Sequence, residues 1–317
     1  FTVMVYGSEY KKGSTADRHA LTPGFLTFDN KPIIMRDMYE INGSDTAQIG
    51  WVEVSGEEGQ NGYMWYLKAE GDTRARFNDY LEMSMIEAEK AASGSGAAAT
   101  VGGTEGLLAA ITARGHVSTD TFAATSDAAA DAAADLVYFD DILAKLDGQG
   151  AIEENMLYLD RSASLNFDNM LAGVSIGSAG GTAYGLFDNS SDMALNLGFI
   201  GFRRGSYDFY KSDWKYLNNV SAHGAHAAAA GNSKLSGVLC PAGTSSVYDE
   251  TMGRNVKRPF VHVRYRASQT DNRRLKTWVT GSVGGNITSD LDAMTVNYLT
   301  ERCLVVQAAN NFMKFVR

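Results

Sequence analysis

Residues 32–41, Pro32-Ile33-Ile34-Met35-Arg36-Asp37-Met38-Tyr39-Glu40-Ile41, decide the class of fold. Ile33, Met35, Tyr39 and Ile41 alternate against Arg36 and Glu40, the two-residue period of a strand with one apolar and one polar face. Beyond them, Ile49, Trp51, Val52 and Val54 predict a second strand, and Tyr63-Met64-Trp65-Tyr66-Leu67 a third. Asn42-Gly43-Ser44-Asp45 and Ser55-Gly56-Glu57-Glu58-Gly59 supply turn chemistry between the runs, so the segment reads as a β-ribbon. On its N-terminal side, Phe1 to Asn30 carries Gly7, Gly13, Pro23 and Gly24 without a sustained period and reads as an extended arm.

C-terminal to the ribbon the period lengthens. Asp72-Thr73 is placed to cap a helix whose apolar positions are Phe77, Tyr80, Leu81, Met85 and Ala88, running to about Ala92. After a Gly/Ser break at 93–103, Leu107, Leu108 and Ile111 predict a short helix stopped by Gly115. Leu136, Phe139, Ile142, Leu143 and Leu146 predict a longer one closed by Gly148, preceded by a helix-permissive alanine run. Met156 to Leu159 reads as a short buried strand and the region of Leu165, Met170 and Leu171 as a helix. The last third returns to strands at 199–202, 207–210, 238–240, 260–266, 275–283 and 303–306. Helices and strands mix without regular βαβ alternation, which favours an α+β fold.

The totals narrow the function classes. The 317 residues, 44% hydrophobic and 21% charged, suit one large or two coupled globular domains. No stretch approaches the roughly 18 uninterrupted apolar residues of a membrane helix, so no membrane partner is expected. Cys240 and Cys303 stand alone, predicting free buried thiols made in a reducing compartment. The net charge of −9 disfavours general nucleic-acid binding and is unevenly spread. Residues 1–158 carry 11 basic and 25 acidic side chains, and residues 159–317 carry 17 and 12. Halves of opposite sign suit head-to-tail contact between copies.

Gly173-Val174-Ser175-Ile176-Gly177 matches the nucleophile elbow of a serine hydrolase, with Asp188 or Asp208 and then His223, His226 or His262 in the required order. The elbow needs a strand before the serine and a helix after it; here the upstream segment reads as helix, and such short patterns recur by chance. His223 and His226 lack a third metal ligand nearby, and no phosphate loop is present. Neither metal nor cofactor is expected. Arg254 to Lys276 holds eight basic residues against Asp271, with His262, Arg264 and Arg266 on one face of a strand and Val261, Val263 and Tyr265 on the other. This basic surface suits the acidic half of a neighbouring copy better than single-stranded nucleic acid, since its arginine face lacks interleaved aromatics.

Several segments together carry a resemblance. They are 30–34 (Asn-Lys-Pro-Ile-Ile), 44–54 (Ser-Asp-Thr-Ala-Gln-Ile-Gly-Trp-Val-Glu-Val) and 65–73 (Trp-Tyr-Leu-Lys-Ala-Glu-Gly-Asp-Thr). Later come 192–199 (Asp-Met-Ala-Leu-Asn-Leu-Gly-Phe), 273–278 (Arg-Arg-Leu-Lys-Thr-Trp) and 289–294 (Ser-Asp-Leu-Asp-Ala-Met). Across 27–92 and 193–317 the chain resembles the major capsid proteins of tailed phages with the HK97-like fold, those of crAss-like and related phages above all. The resemblance implies an N-terminal arm over 1–30, an E-loop ribbon over 31–72 and a spine helix opening a peripheral domain over 73–150. It further implies a mainly axial domain over 151–260 and closing strands over 261–317.

Its functional implications are hexamers and pentamers of an icosahedral shell around double-stranded DNA, assembled in the bacterial cytoplasm. Portal, scaffold and decoration proteins would be further partners. Phe1, where an initiator Met is expected, would mark removal of an N-terminal scaffolding segment. Contact between copies is expected at Arg36, Asp37, Glu40, Asp45, Trp51, Glu53, Glu57 and Glu58 of the ribbon and at Arg258, Arg264, Arg266, Arg273 and Arg274 of the basic region. The alternatives are a serine hydrolase using Ser175 and a secreted glycan-binding adhesin presenting Tyr63, Trp65 and Tyr66.

Overall fold

The alternation of 33–41 is realised as strand β1 (Ile33–Asn42), whose odd-numbered side chains are sheltered and whose even-numbered ones are exposed. The computed structural model of the chain describes residues 11–14, 27–47, 54–55, 61–62, 65–90, 103–120, 122, 129–150, 152–177, 201–218, 235–249, 254–283 and 287–316. A single helical turn, α1 (Gly43–Thr46), follows β1. Strands β2 (Val54–Ser55) and β3 (Asn61–Gly62) then pair antiparallel with each other. Most of the expected second strand, and with it Trp51, Glu53, Glu57 and Glu58, lies outside the described residues.

The expected third strand is not formed over Trp65 to Leu67. Those residues open helix α2 (Trp65–Glu87), which therefore starts seven residues before the anticipated cap at Asp72-Thr73. Thr73 caps nothing: its hydroxyl donates to the Ala69 carbonyl within the helix, at 2.9 Å. The buried stripe Thr73, Phe77, Leu81 and Met85 fixes the helix. Extending an existing helix costs far less than starting one, so the strand preference of Trp65 and Tyr66 is overridden.

The next elements match their sequence periods. Helix α3 (Leu107–Arg114) stops where expected, at Gly115. A Cβ there would lie 2.7 Å from the Ala309 carbonyl oxygen, so close approach of two backbones demands the glycine. Strand β4 (His116–Ser118) leads towards helix α4 (Ala129–Asp147), which absorbs part of the alanine run and buries Phe139, Ile142 and Leu146. Strand β5 (Glu154–Leu159) is followed by helix α5 (Arg161–Gly177), capped by Asp160, whose carboxylate accepts the Ala163 N–H at 2.7 Å. Helix α5 buries Ala163, Phe167 and Met170 and leaves Leu165 exposed.

The C-terminal strands are β6 (Gly201–Arg204), β7 (Tyr207–Asp213), β8 (Leu235–Pro241), β9 (Thr244–Asp249) and β10 (Arg254–Pro259). They continue with β11 (Val261–Tyr265), β12 (Lys276–Gly281), β13 (Ala293–Val306) and β14 (Met313–Val316). A six-stranded mixed sheet has the order β4-β14-β8-β5-β7-β6, while β9 and β10 form a separate hairpin. A four-stranded antiparallel sheet is centred on β13. Strand β1 lies along one edge from Ile33 opposite Arg302 to Asn42 opposite Ala293, and β11 and β12 share the other edge end to end. The chain is thus an α+β protein whose N-terminal strand pairs with a strand near the other end of the sequence, instead of with the ribbon residues that follow it.

Three apolar clusters hold these layers together. Helices α4 and α5 cover the six-stranded sheet through Phe139, Phe167, Phe202, Phe209 and Phe315, joined by Phe122. Helix α2 covers one face of the four-stranded sheet through Phe77 and Leu81 against Val296 and Tyr298. Ile111, Leu235, Val238 and Phe312, with Phe260, Val261 and Val306 partly buried, join the two sheets.

Candidate assembly surface

The register of the four-stranded sheet sorts the expected contact residues by face. Odd-numbered residues of β1 meet α2. Asp37 is therefore spent inside the chain, its carboxylate 3.0 Å from Arg76 Nη2 and 3.3 Å from Nε. The carboxylate in turn raises the Arg76 pKa. Even-numbered residues point the other way and form rows with β13 and β12: Arg36–Leu299–Lys276, Met38–Asn297–Trp278 and Glu40–Thr295–Thr280. Ile34 is 53% exposed and Met38 61%, so this face carries apolar side chains in period-two register facing solvent. Asp45 lies half-buried on α1 at the end of the same sheet, where the Gly43 N–H donates to the Asp292 carbonyl at 3.1 Å.

The basic residues divide in a way the sequence does not reveal. Arg258 is on β10, opposite Ser245, in the separate hairpin and not in this sheet. Arg264, Arg266, Arg273 and Arg274 do converge, around a hairpin extension that joins β11 to β12. Its neck is closed by the Arg273 N–H donating to the Arg266 carbonyl at 3.0 Å, and its tip by Ser268, whose Oγ accepts the Asp271 N–H at 3.1 Å. Under the neck sits Glu301 of β13, 5% exposed at its side chain, with Arg266 Nη1 at 3.1 Å and Arg273 Nε at 2.6 Å from its two oxygens. These two arginines share one carboxylate within the chain. Arg264 is exposed and has no ion-pair or hydrogen-bond partner among the described residues, and the Arg274 guanidinium lies 5.4 Å from the Tyr265 ring. Arg302, unremarked in the sequence, approaches the same ring at 5.2 Å, and burial lowers its pKa. Glu301 and Arg302 were hidden because they interrupt a strand that extends to Ala293, well before the 303–306 expected from sequence, and lie some thirty residues from the arginines they meet; a charged pair directly ahead of the expected strand was the one available signal.

Beside Arg264 opens a cavity of about 470 Å³. Its wall includes Asn30, whose amide donates to the carbonyls of Glu105 and Leu304, both at 2.9 Å, and whose oxygen accepts the Glu105 N–H at 2.7 Å. Arg114 clamps Glu105 at 2.7 and 3.0 Å and lies 4.7 Å from the Phe28 ring. Lys90 binds Asp29 at 3.1 Å, and this hydrogen bond and charge lower the Asp29 pKa. The end of the expected arm, residues 27–30, is thereby fastened to its own chain.

Ser175 lies within the last turns of α5, with helix and no strand before it, so the elbow geometry is not adopted. Trp65 and Tyr66 belong to the first turn of α2, while Tyr63, His223 and His226 lie outside the described residues. Among the described residues no three His, Cys, Asp or Glu side chains group as metal ligands. Both cysteines are free thiols, and burial pushes Cys240 up to about 12.

No protein-family model matches the chain and no curated protein matches it. Among solved structures it is similar to the mature capsid of bacteriophage PhiM1, at 11% identity and a TM-score of 0.47, over 99% of this chain and 79% of that one. It is also similar to a Gordonia phage Cozz structure, at 9% identity and a TM-score of 0.42, over 95% and 78% of the two chains. The capsid of cyanophage P-SCSP1u gives 10% identity and a TM-score of 0.41, over 96% and 80%.

Proposed function

We propose that the chain is the major capsid protein of a tailed bacterial virus, a shell subunit whose work is repeated lateral contact with copies of itself. The observation that carries this reading is the outward face of the four-stranded sheet. Ile34 and Met38 stand exposed there beside Arg36, Glu40 and Trp278, and the hairpin bearing Arg264 and Arg274 borders it. A large folded chain that leaves such a face in water presents it for association. The capsid resemblance of 27–92 and 193–317 makes the reading specific.

In this reading residues 1–30 are an arm, 31–72 hold the E-loop, and α2 is the spine helix, opening at Trp65. Residues 73–150 continue the peripheral domain, 151–260 are mainly axial, and 261–317 supply the closing strands. Copies gather in hexamers and pentamers around double-stranded DNA, which the acidic chain meets only non-specifically, with portal, scaffold and decoration proteins added. Acidic side chains of the 1–158 region, among them Asp45 beside the Asp292 loop, face the basic region of a neighbour. Each such contact is weak, so misplaced subunits can leave, while many copies make the sum decisive.

Negative-stain microscopy of the expressed protein, alone and with scaffold supplied in trans, tests the proposal. Closed shells or capsomers are expected; a chain that stays monomeric under both conditions while binding glycans or a serine-directed probe would replace it.

A further inference from the structure

Strand β12 separates two loops of opposite character. Before it, the hairpin at 266–275 and its neighbours carry Arg264, Arg266, Arg273, Arg274 and Lys276 against Asp271 and the buried Glu301. After it, residues 287–292 are Ile-Thr-Ser-Asp-Leu-Asp, with Asp290 and Asp292 and no base, and Asp45 of α1 joins them through the Gly43–Asp292 backbone bond. At about 3.3 Å per residue, the six residues of β12 hold the two apart by about 20 Å. Each end also exposes apolar side chains, Leu275 and Tyr265 at the basic end, Leu291 and Ile287 at the acidic one, the last 83% exposed.

Both ends are ordered by their own hydrogen bonds. Thr288 closes the acidic loop, its hydroxyl oxygen accepting the Gly281 N–H at 2.8 Å and its own N–H donating to the Gly281 carbonyl at 2.9 Å, and Ser282 Oγ donates to the Leu291 carbonyl at 2.7 Å. The basic hairpin is closed at its neck and tip as described above. Neither loop pays much ordering entropy on contact.

We infer that these two loops form a head-to-tail contact between copies, the Asp290–Asp292 loop of one chain docking on the Arg264–Arg274 hairpin of the next. The inference rests on the reading of this chain as a self-associating subunit and names where association occurs. A second copy is the fitting occupant because every copy carries both members of the complementary pair. Charge and exposed apolar side chains match end for end, at sites that project from opposite ends of one rigid strand. Contacts between unlike patches propagate from copy to copy and stop only when a ring closes.

Two charge-reversed forms of the full chain test this by sedimentation velocity at low and high salt. One is Asp290→Lys with Asp292→Lys; the other is Arg264→Glu with Arg274→Glu, which spares the Glu301 clamp. Circular dichroism checks the fold, and Asp290→Asn with Asp292→Asn serves if the lysine form is unfolded. Each form alone is expected to need about tenfold more protein, or more, to reach half association. An equimolar mixture should associate like the unaltered protein, because reversed ends then meet reversed ends. Unchanged association of either form alone, a mixture no better than its components, or unaltered protein that stays monomeric or stops at dimers overturns the inference. Normal shells from the single reversed forms would sink this contact and leave the capsid reading standing. Oligomers of the unaltered protein that depend on this contact but never close into shells would do the reverse.

Discussion

On the six-stranded sheet, Phe139 and Phe209 have ring centroids 5.0 Å apart, Phe122 and Phe167 5.0 Å, and Phe139 and Phe202 5.4 Å. On the four-stranded sheet, Phe77 and Tyr298 at 5.9 Å are the one such pair among the described residues, and the opposite face carries Ile34 and Met38 in water. The first region buries large aromatic side chains in a continuous cluster. The second gives one face to α2 and leaves the other exposed. In the proposed reading stability and assembly therefore fall on different sheets, and substitutions can separate them.

Phe167→Ala attacks the aromatic cluster and is expected to cost about 3–5 kcal/mol, read as a lower urea midpoint with the slope unchanged. A loss below about 1 kcal/mol would mean that the aromatic cluster is not the main store of stability. Glu301→Gln removes the carboxylate under the basic hairpin. Because Arg266 is solvent-exposed, the expected loss is smaller, about 1–2 kcal/mol, and the hairpin should become a site of early proteolysis. Ile34→Thr with Met38→Thr should leave stability within about 0.5 kcal/mol and still weaken association. Equal loss of both would erase the division of labour between the sheets.

Cys240, in the cluster joining the two sheets, gives a gentler probe. Burial keeps its thiol protonated in the folded chain up to about 12, whereas in the unfolded chain it ionises near 9. The folded state binds the proton more tightly, so this contribution is complete below pH 9 and is lost as pH rises towards about 12. Between pH 9 and 10, before tyrosines intervene, unfolding midpoints of the native chain should fall more steeply than those of Cys240→Ala.

Much of this architecture was legible locally. The period of 33–41, the spacing of Phe139, Ile142 and Leu146, and the stop at Gly115 each encode their element in a few adjacent residues. The start of α2 was not, because Trp65 and Tyr66 favour strands on their own and become helical through the turns that follow. Strand β10 reads Arg-Asn-Val-Lys-Arg-Pro, which shows no period at all. Nor does anything in Ile33 to Ile41 say that its partner is β13, some 260 residues later. The same long-range pairing explains the site: Arg264 and Arg274 were identified by charge, but which arginines remain available depends on Glu301, and Asp37 is withdrawn by Arg76.

The backbone at Gly281, with φ of 125°, turns β12 into the loop that leads to Asp290; a Cβ there would collide with the Ala293 carbonyl oxygen. The antiparallel ladder between β12 and β13 runs alongside over six cross-strand positions. A pull between the two loops acts along the strand axis. It loads those rungs in parallel, as shear, instead of peeling them one after another. A sheet held by its two ends in this way would be stiff against stretching, the load that a filled shell, in the proposed reading, places on its wall.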